Sequence, residues 1–177
     1  MKLTEEQLAR FMAKVDTNGP GGCWLWTASA RTGRDGRAYG QFRMRPKTSF
    51  AHRIAFKHWR RDLLPGEQVD HRCANTLCVN PAHLRAVTAK QNQEHQTRLV
   101  SANTTGFRGV TYNKNNKKFQ ARVRHHGKTI HIGYFGTAAE AGAAAAAKRA
   151  ELFTHDDHHN WTSPPTSTNP NDYTLDA

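Results

Sequence analysis

Apolar residues recur along the first half of the chain at spacings that predict short strands and helices. Apolar runs of strand type alternate with segments whose apolar residues lie three and four positions apart, the spacing of one helix face. The predicted elements are strands at residues 23–26 and 39–43, a helix at 49–61, the end of a strand at 68–71 and a helix from Thr88 to about Leu99. Ser49 is placed to cap the first helix, and Thr88 with Gln91 forms a capping-box pattern before the second.

The second half has a more regular pattern, in which apolar and polar residues alternate between turn-forming residues. This pattern predicts a three-stranded antiparallel meander at residues 107–112, 118–124 and 129–135. Thr137 and Glu140 then form a capping box before an Ala-rich helix. Because three short strands are not stable alone, the helix must cover one face of the sheet and leave the other exposed. The whole chain is therefore predicted to have an α+β fold.

Charge indicates the kind of partner. The 177 residues include 26 Lys and Arg against 14 Asp and Glu, a net charge of +12, which points to a polyanion. The positive charge lies in residues 1–103, with 17 basic and 8 acidic side chains, and in residues 104–154, with 9 and 2. Residues 155–177 carry four acidic and no basic side chains.

Composition also predicts the domain organisation. A polar helical stretch changes to strand-like sequence near residues 99–106, which predicts modules at residues 1–100 and 104–153. The Pro-, Ser- and Thr-rich segment 154–177 is predicted to be a disordered tail, because it has too few apolar residues for a core. No apolar run is long enough to cross a bilayer and residues 1–16 lack a signal-peptide core, so we expect a cytoplasmic protein without a membrane partner.

The spacing of Cys73, Cys78 and His83 suits a metal ion better than a disulfide. Two thiolates and an imidazole within eleven positions are ligands that tetrahedral zinc prefers, and Cys23 is the remaining cysteine that could complete the set. A closed site of three cysteines and one histidine would be structural. The alternative is that these cysteines are buried small apolar residues and that His83 is an ordinary loop histidine.

A second set of residues could serve catalysis. His71 follows Asp70 at a predicted strand end, and Asn92 lies 21 residues later in the capped helix. A hairpin of that length can return the chain so that a general base and a metal-binding amide face each other. His83 lies in the loop and is less well placed for this pair.

Residues 69–73 (VDHRC) and 78–84 (CVNPAHL), with residues 87–88 and Asn92, resemble the HNH endonucleases of the ββα-metal fold. The spacing of the cysteines and histidines is similar to the first zinc site of the His-Cys box homing endonucleases. The resemblance extends over about residues 20–98. It implies a zinc-stabilised nuclease module.

The same resemblance implies individual roles. His71 would be the general base, Asn92 and Asp70 ligands of a catalytic Mg²⁺ ion, and Asn80 the residue that braces the loop and helps to orient the base. The expected products carry a 5′ phosphate and a 3′ hydroxyl. Arg53 is either an additional phosphate-binding cation or a solvated or ion-paired helix residue.

Basic residues, Lys118 among them, follow the predicted sheet of the second module. Such a sheet could track phosphates in a major groove, or could be a solvated face with no sequence preference. The order and spacing of FRGV, KFQARVR and HIGYFGTAAEA over residues 104–153 resemble the AP2 DNA-binding domain, whose three-stranded sheet lies in the major groove with a helix behind it. The resemblance implies DNA contacts at Arg108, Arg122 and Arg124, and at Phe119 and His131, where the family often has Trp.

These features together predict a site-specific endonuclease for double-stranded DNA, similar to phage-borne homing endonucleases of the HNH type. It would then act in the cytoplasm of the host cell. No cysteine follows Cys78, so the second zinc cluster of the His-Cys box enzymes is missing, and both a monomer and a homodimer remain open. One alternative is a non-catalytic, zinc-containing DNA-binding regulator. Another is a non-specific nuclease of defence or degradation.

Overall fold

A computed structural model describes residues 2–33, 36–95, 99 and 103–155. Contacts within the chain divide it into two compact units, Met1–Asn92 and Gln93–Asp156. The division lies several residues before the boundary predicted near residues 99–106. The segment predicted to be a disordered tail lies outside the described residues, except for Thr154 and His155. No helix of the described part is long and apolar enough to cross a membrane.

The first unit arranges three small antiparallel sheets around an aromatic core. Its elements are α1 (Glu5–Met12), β1 (Val15–Asp16), β2 (Leu25–Trp26), β3 (Ala30–Thr32), β4 (Ala38–Met44), β5 (Lys47–Phe50), α2 (Ala51–Trp59), β6 (Glu67–His71), β7 (Leu84–Thr88) and the start of α3 (Ala89–Glu94). Strand β1 pairs with β2, β4 pairs with both β3 and β5, and β6 pairs with β7. The rings of Phe11, Trp24, Trp26, Phe42 and Trp59 pack in tilted or edge-on pairs, with centroids between 5.1 and 6.1 Å apart.

Helix α2 and strand β7 differ from the sequence prediction. Helix α2 begins at Ala51 after the extended residue Phe50, and Ser49 lies in β5, so the prediction that Ser49 caps the helix is wrong. The segment Leu84–Thr88, for which the sequence predicts no strand, forms β7. It becomes a strand because all five of its residues pair with β6, a non-local contact that a sequence pattern does not contain.

The capping box before α3 is confirmed. The Gln91 backbone N–H donates to Thr88 Oγ1 over 3.3 Å, and the Thr88 backbone N–H donates to Gln91 Oε1 over 2.8 Å. The helix ends at Glu94, earlier than the predicted end near Leu99, and His95 lies in a turn. Strands β6 and β7 and helix α3 thus follow one another as a ββα unit.

The second unit is the predicted meander with a helix on one face. It contains β8 (Val110–Asn113), β9 (Lys118–His125), β10 (Lys128–Phe135) and α4 (Ala138–Leu152), and the antiparallel sheet has the order β10-β9-β8. The Thr137 and Glu140 capping box is present in both directions. Strand β8 begins later than predicted because Gly109 has a φ of +80°, where a Cβ would lie 2.3 Å from the Arg122 carbonyl oxygen.

Small residues let α4 approach the sheet closely. Ala141 and Ala145 of α4 are fully buried and form a core with Val110 and Ala121. At Gly142 a Cβ would lie 2.4 Å from the Phe107 ring. The structure therefore confirms the predicted α+β fold, including the single helix packed on the second sheet.

Candidate functional site

The structure brings together the four residues predicted to bind zinc. One ligand atom from each of Cys23, Cys73, Cys78 and His83 lies within 4.8 Å of the others. Three of the four residues are buried, and Cys73 is half-buried. The cluster could hold a metal ion enclosed by four protein ligands.

Two chain segments run side by side to form this cluster. The Val79 backbone N–H donates to the Trp24 carbonyl over 2.8 Å, and the Trp26 N–H donates to the Leu77 carbonyl over 2.9 Å. This pairing brings Cys23 beside Cys78, although 55 positions separate them in the sequence. His83 joins them from a short 3-10 turn over Pro81–His83.

The distances fit zinc. His83 Nδ1 lies 3.6 Å from both Cys23 Sγ and Cys78 Sγ. Ligand bonds of about 2.3 Å to sulfur and about 2.0 Å to nitrogen, in a tetrahedron, put sulfur and nitrogen about 3.6 Å apart. The thiol hydrogen bonds from Cys73 and Cys78 lower the pKa of Cys23 to about 4, so the cluster already favours a thiolate.

Asn80 stabilises the loop between these ligands. It is fully buried, its Oδ1 accepts from the Ala82 N–H over 2.9 Å, and its Nδ2 donates to the Gly22 carbonyl over 2.7 Å. Its own N–H donates to Cys78 Sγ over 3.4 Å. Asn80 therefore ties the ligand loop to the segment that precedes Cys23.

His71 is held in one tautomer by the same loop. It is the last residue of β6, is 6% exposed, and places Nε2 3.2 Å from the Cys78 carbonyl oxygen. A carbonyl can only accept a hydrogen bond, so Nε2 carries the proton and Nδ1 has the lone pair. Burial lowers the pKa of His71, against smaller opposing effects of Cys73 and Asp70. His71 is thus neutral at neutral pH, the form that a general base requires.

The two candidate oxygen ligands have defined partners. Asp70 Oδ2 accepts from Arg85 Nε over 2.9 Å, and Asn92 Nδ2 donates to Gln68 Oε1 over 2.7 Å, which leaves the Asn92 amide oxygen as the acceptor end. Gln68 and Asp70 lie two positions apart in β6 and so share one face of the strand. His71 faces the other side at the strand end.

Arg53 lies in a basic depression of the first unit. This exposed residue of α2 lines a surface cavity of about 440 Å³. Arg31 and Lys57 line the same cavity, together with the hydroxyl-bearing residues Thr48 and Ser49. Cations beside hydroxyl groups are suited to binding phosphate oxygens.

The second unit presents a basic sheet face. Ala121 and Val123 of β9 are buried on the side of α4, so the intervening residues face away from the helix. The exposed residues of this face, called the basic sheet face below, are Lys118, Arg122 and Arg124 of β9 and His131 of β10. His131 pairs directly with Arg122.

Two residues predicted to contact DNA have other contacts. Phe119 lies on the side of the sheet that α4 covers, packs partly buried against the core and places its ring centroid 5.1 Å from that of Tyr112; its predicted DNA contact stays a prediction. The Arg108 guanidinium donates to the carbonyls of Glu94 and Gln93, each over 3.0 Å, and lies over the Phe153 ring. These contacts hold Arg108 within the protein, and its predicted DNA contact stays a prediction.

Sequence reasoning assigned no role to His52, which the structure places beside His71. The two ring centroids are 4.7 Å apart. Nineteen positions separate these histidines, and no local pattern indicates that their rings meet. Only the packing of α2 against β6 brings them together.

Comparisons with known proteins agree with this geometry. Residues 49–94 match the sequence model of the HNH endonuclease family. The chain is 33% identical over 94 residues to Protein 2.8 of Escherichia phage T7, an alignment that covers 52% of this chain and 58% of that protein. The chain therefore spans less than two thirds of the length of this curated relative, and no solved structure matches it. The matched segment contains β6, β7 and α3 together with His71, Asn80 and Asn92, and it identifies residues 49–94 as an HNH endonuclease domain.

Proposed function

We propose that this protein is a site-specific, Mg²⁺-dependent DNA endonuclease of the homing type. The observation that carries the proposal is His71, which is buried, neutral and anchored through Nε2 at the strand end of an HNH endonuclease domain. A phage relative supports a role in the cytoplasm of a host cell.

In the proposed reaction His71 Nδ1 takes a proton from a water molecule. The water oxygen attacks the phosphorus atom, and the bond from phosphorus to the 3′ oxygen breaks. The 3′ oxygen takes a proton from solvent, so the products carry a 5′ phosphate and a 3′ hydroxyl. The hydrogen bond to the Cys78 carbonyl disperses the positive charge that His71 gains when it accepts the proton.

The donor chemistry fits two different metals. Asp70 and Asn92 offer oxygen atoms, which suit Mg²⁺, and the three cysteines with His83 offer sulfur and nitrogen, which suit structural Zn²⁺. Bound Mg²⁺ would supply positive charge for the oxygen that leaves. Gln68 orients the Asn92 amide, and Arg85 holds the Asp70 carboxylate in place through the contact between Arg85 Nε and Asp70 Oδ2.

DNA binding in this proposal uses two surfaces. The basic sheet face, Lys118, Arg122, Arg124 and His131, offers cations on the side of the three-stranded sheet that α4 does not cover. A sheet face of this kind is suited to binding in a major groove. Arg53 and its neighbouring cations offer a second contact for phosphate. We propose that the AP2-like sheet supplies sequence preference and that the HNH domain supplies cleavage.

Plasmid cleavage tests the proposal. Wild-type protein and the variant His71→Ala are incubated with supercoiled plasmids that carry fragments of the source genome, in Mg²⁺ and in chelator, and the cut ends are sequenced. His58→Ala, at a histidine of α2 that does not contact His71, is the matched control. We expect cuts at one site, abolished by His71→Ala and by the chelator but kept in His58→Ala. The proposal would be refuted if His71→Ala cut the plasmid as well as the wild type does. It would also be refuted if the folded, zinc-loaded wild type bound DNA sequence-selectively without cutting it, a result that would favour a DNA-binding regulator.

A further inference from the structure

His52 is a buried histidine within an aromatic cluster. It is the second residue of α2 and is 6% exposed. Its ring is stacked on Phe50 at a centroid distance of 5.7 Å and an interplanar angle of 19°, and it lies 5.7 Å from the Tyr39 ring. The centroid of the His71 ring lies 4.7 Å from that of His52, and the interplanar angle between the two rings is 59°.

Packing rather than hydrogen bonding holds this ring. His52 Nδ1 is buried and has no hydrogen-bond partner among the residues that the structure describes. Burial, with smaller contributions from His71 and Arg53, lowers the pKa of His52 well below its ordinary value. At neutral pH the ring is therefore uncharged and can pack against His71 without repelling it.

The His71 ring needs such a contact. Its hydrogen bond to the Cys78 carbonyl is a single contact of 3.2 Å, and rotation about the Cβ–Cγ bond of His71 turns Nε2 away from that carbonyl, so that the tautomer is no longer fixed. That rotation moves Nδ1, the atom that takes the proton in the proposed function. A displacement of about 1 Å at a reacting atom can cost about 100-fold in rate.

We propose that His52 is a positioning residue, whose ring fixes the plane of the His71 imidazole and so directs Nδ1 toward the attacking water. This role rests on the proposed endonuclease function. His52 acts through the shape of its aromatic ring, with Phe50 and Tyr39 as its support. Its nitrogen atoms take no part in the reaction.

Substitutions at position 52 separate the ring from its nitrogen atoms. The variant His52→Phe keeps an aromatic ring, His52→Gln keeps polarity without a ring, and His52→Ala removes both. His58→Ala is the matched control, because His58 lies on the same helix and also packs on a ring, that of Trp59, at 4.7 Å. Circular dichroism and zinc content establish that each variant is folded. The readouts are kcat and KM on the supercoiled plasmid, and the ¹⁵N spectrum of the His71 imidazole in the protein without DNA.

The expected results distinguish positioning from stability. The variants His52→Ala and His52→Gln should lower kcat ten- to hundredfold with KM unchanged within about twofold, while His52→Phe should restore most of kcat. In the ¹⁵N spectrum, the single His71 state with the proton on Nε2 should become a mixture of tautomers in the two ringless variants and not in His58→Ala. The proposal would be overturned if His52→Ala kept the kcat of the wild type. It would also be overturned if His52→Gln restored activity and His52→Phe did not.

The spectrum keeps this inference separate from the proposed function. If the wild-type protein cuts no DNA, the endonuclease proposal fails, and a change of the His71 tautomers in His52→Ala would still demonstrate the positioning contact. If cutting occurs but the His71 spectrum is the same in His52→Ala as in the wild type, the positioning role is wrong and the endonuclease proposal stands.

Discussion

Replacing Asn80 with alanine should destabilise the first unit, because the buried Asn80 side chain makes two hydrogen bonds to the backbone. The Asn80 side chain accepts from the Ala82 N–H at 2.9 Å and donates to the Gly22 carbonyl at 2.7 Å, and the residue has no exposed surface. The alanine variant removes both bonds and leaves the N–H and the carbonyl to find other partners.

The size of the effect follows from these contacts. Two hydrogen bonds at about 1 kcal/mol each give a loss of about 2 kcal/mol, and incomplete solvation of the two orphaned groups raises the loss to as much as about 4 kcal/mol. With a urea dependence of about 2 kcal/mol per molar, the unfolding midpoint should fall by about 1–2 M. Because Asn80 ties the Cys78 loop to the segment before Cys23, zinc affinity should fall as well.

Tryptophan fluorescence in urea provides the assay, since Trp24, Trp26 and Trp59 all lie in the core of the first unit. The matched control is Asn18→Ala, at an exposed asparagine of the same unit, which should change the free energy of unfolding by less than about 0.5 kcal/mol. If Asn80→Ala stays within the range of that control, the two hydrogen bonds do not stabilise the site and the reasoning is wrong.

Three further predictions follow from other contacts. Metal analysis should find about one zinc per chain, and Cys73→Ser should lose the zinc and unfold the first unit, as followed by fluorescence; a folded, zinc-free variant would contradict this. Hydrogen bonds from Arg61 lower the pKa of Glu67 from 4.5 to about 2. The contribution of Glu67 to stability is therefore present above pH 4.5 and is lost as the pH falls toward 2. In acid titration, Glu67→Gln should make the free energy of unfolding less dependent on pH over this range. Arg122→Ala should weaken DNA binding and reduce the dependence of the binding constant on salt by about one unit of log–log slope, without changing the Tm. Arg108→Ala should instead lower the Tm, because it breaks hydrogen bonds to two carbonyls. If binding and melting experiments show the reverse pattern, Arg108 is the DNA contact and Arg122 the structural residue.

The sequence predicts those features that short-range chemistry determines. The capping boxes at Thr88 and Thr137 depend on residues three positions apart, and both form. The strands of the second unit follow from alternation, and the turns between them from local residue types. Cys23 could be added to the zinc ligands by elimination, since it is the remaining cysteine.

Features that depend on contacts between distant segments were not predictable. Strand β7 forms because it pairs with β6, and Ser49 joins β5 instead of capping α2 because β4 offers it a partner. Alternation divides the residues of β9 between two faces but does not say which face a helix covers, so the position of Phe119 on the side of α4 could not be predicted. The contact between His52 and His71 depends on the packing of a helix on a strand, which no local pattern encodes.

Cys78 performs two tasks with different parts of one residue. Its sulfur faces the candidate zinc ligands, and its carbonyl oxygen accepts the hydrogen bond from His71. Oxidation or alkylation of this thiol would therefore disturb His71, the proposed general base, through the backbone of Cys78. The proposed endonuclease would therefore depend for cleavage on reduced thiols at a cluster that itself makes no contact with the scissile phosphate in the proposed reaction.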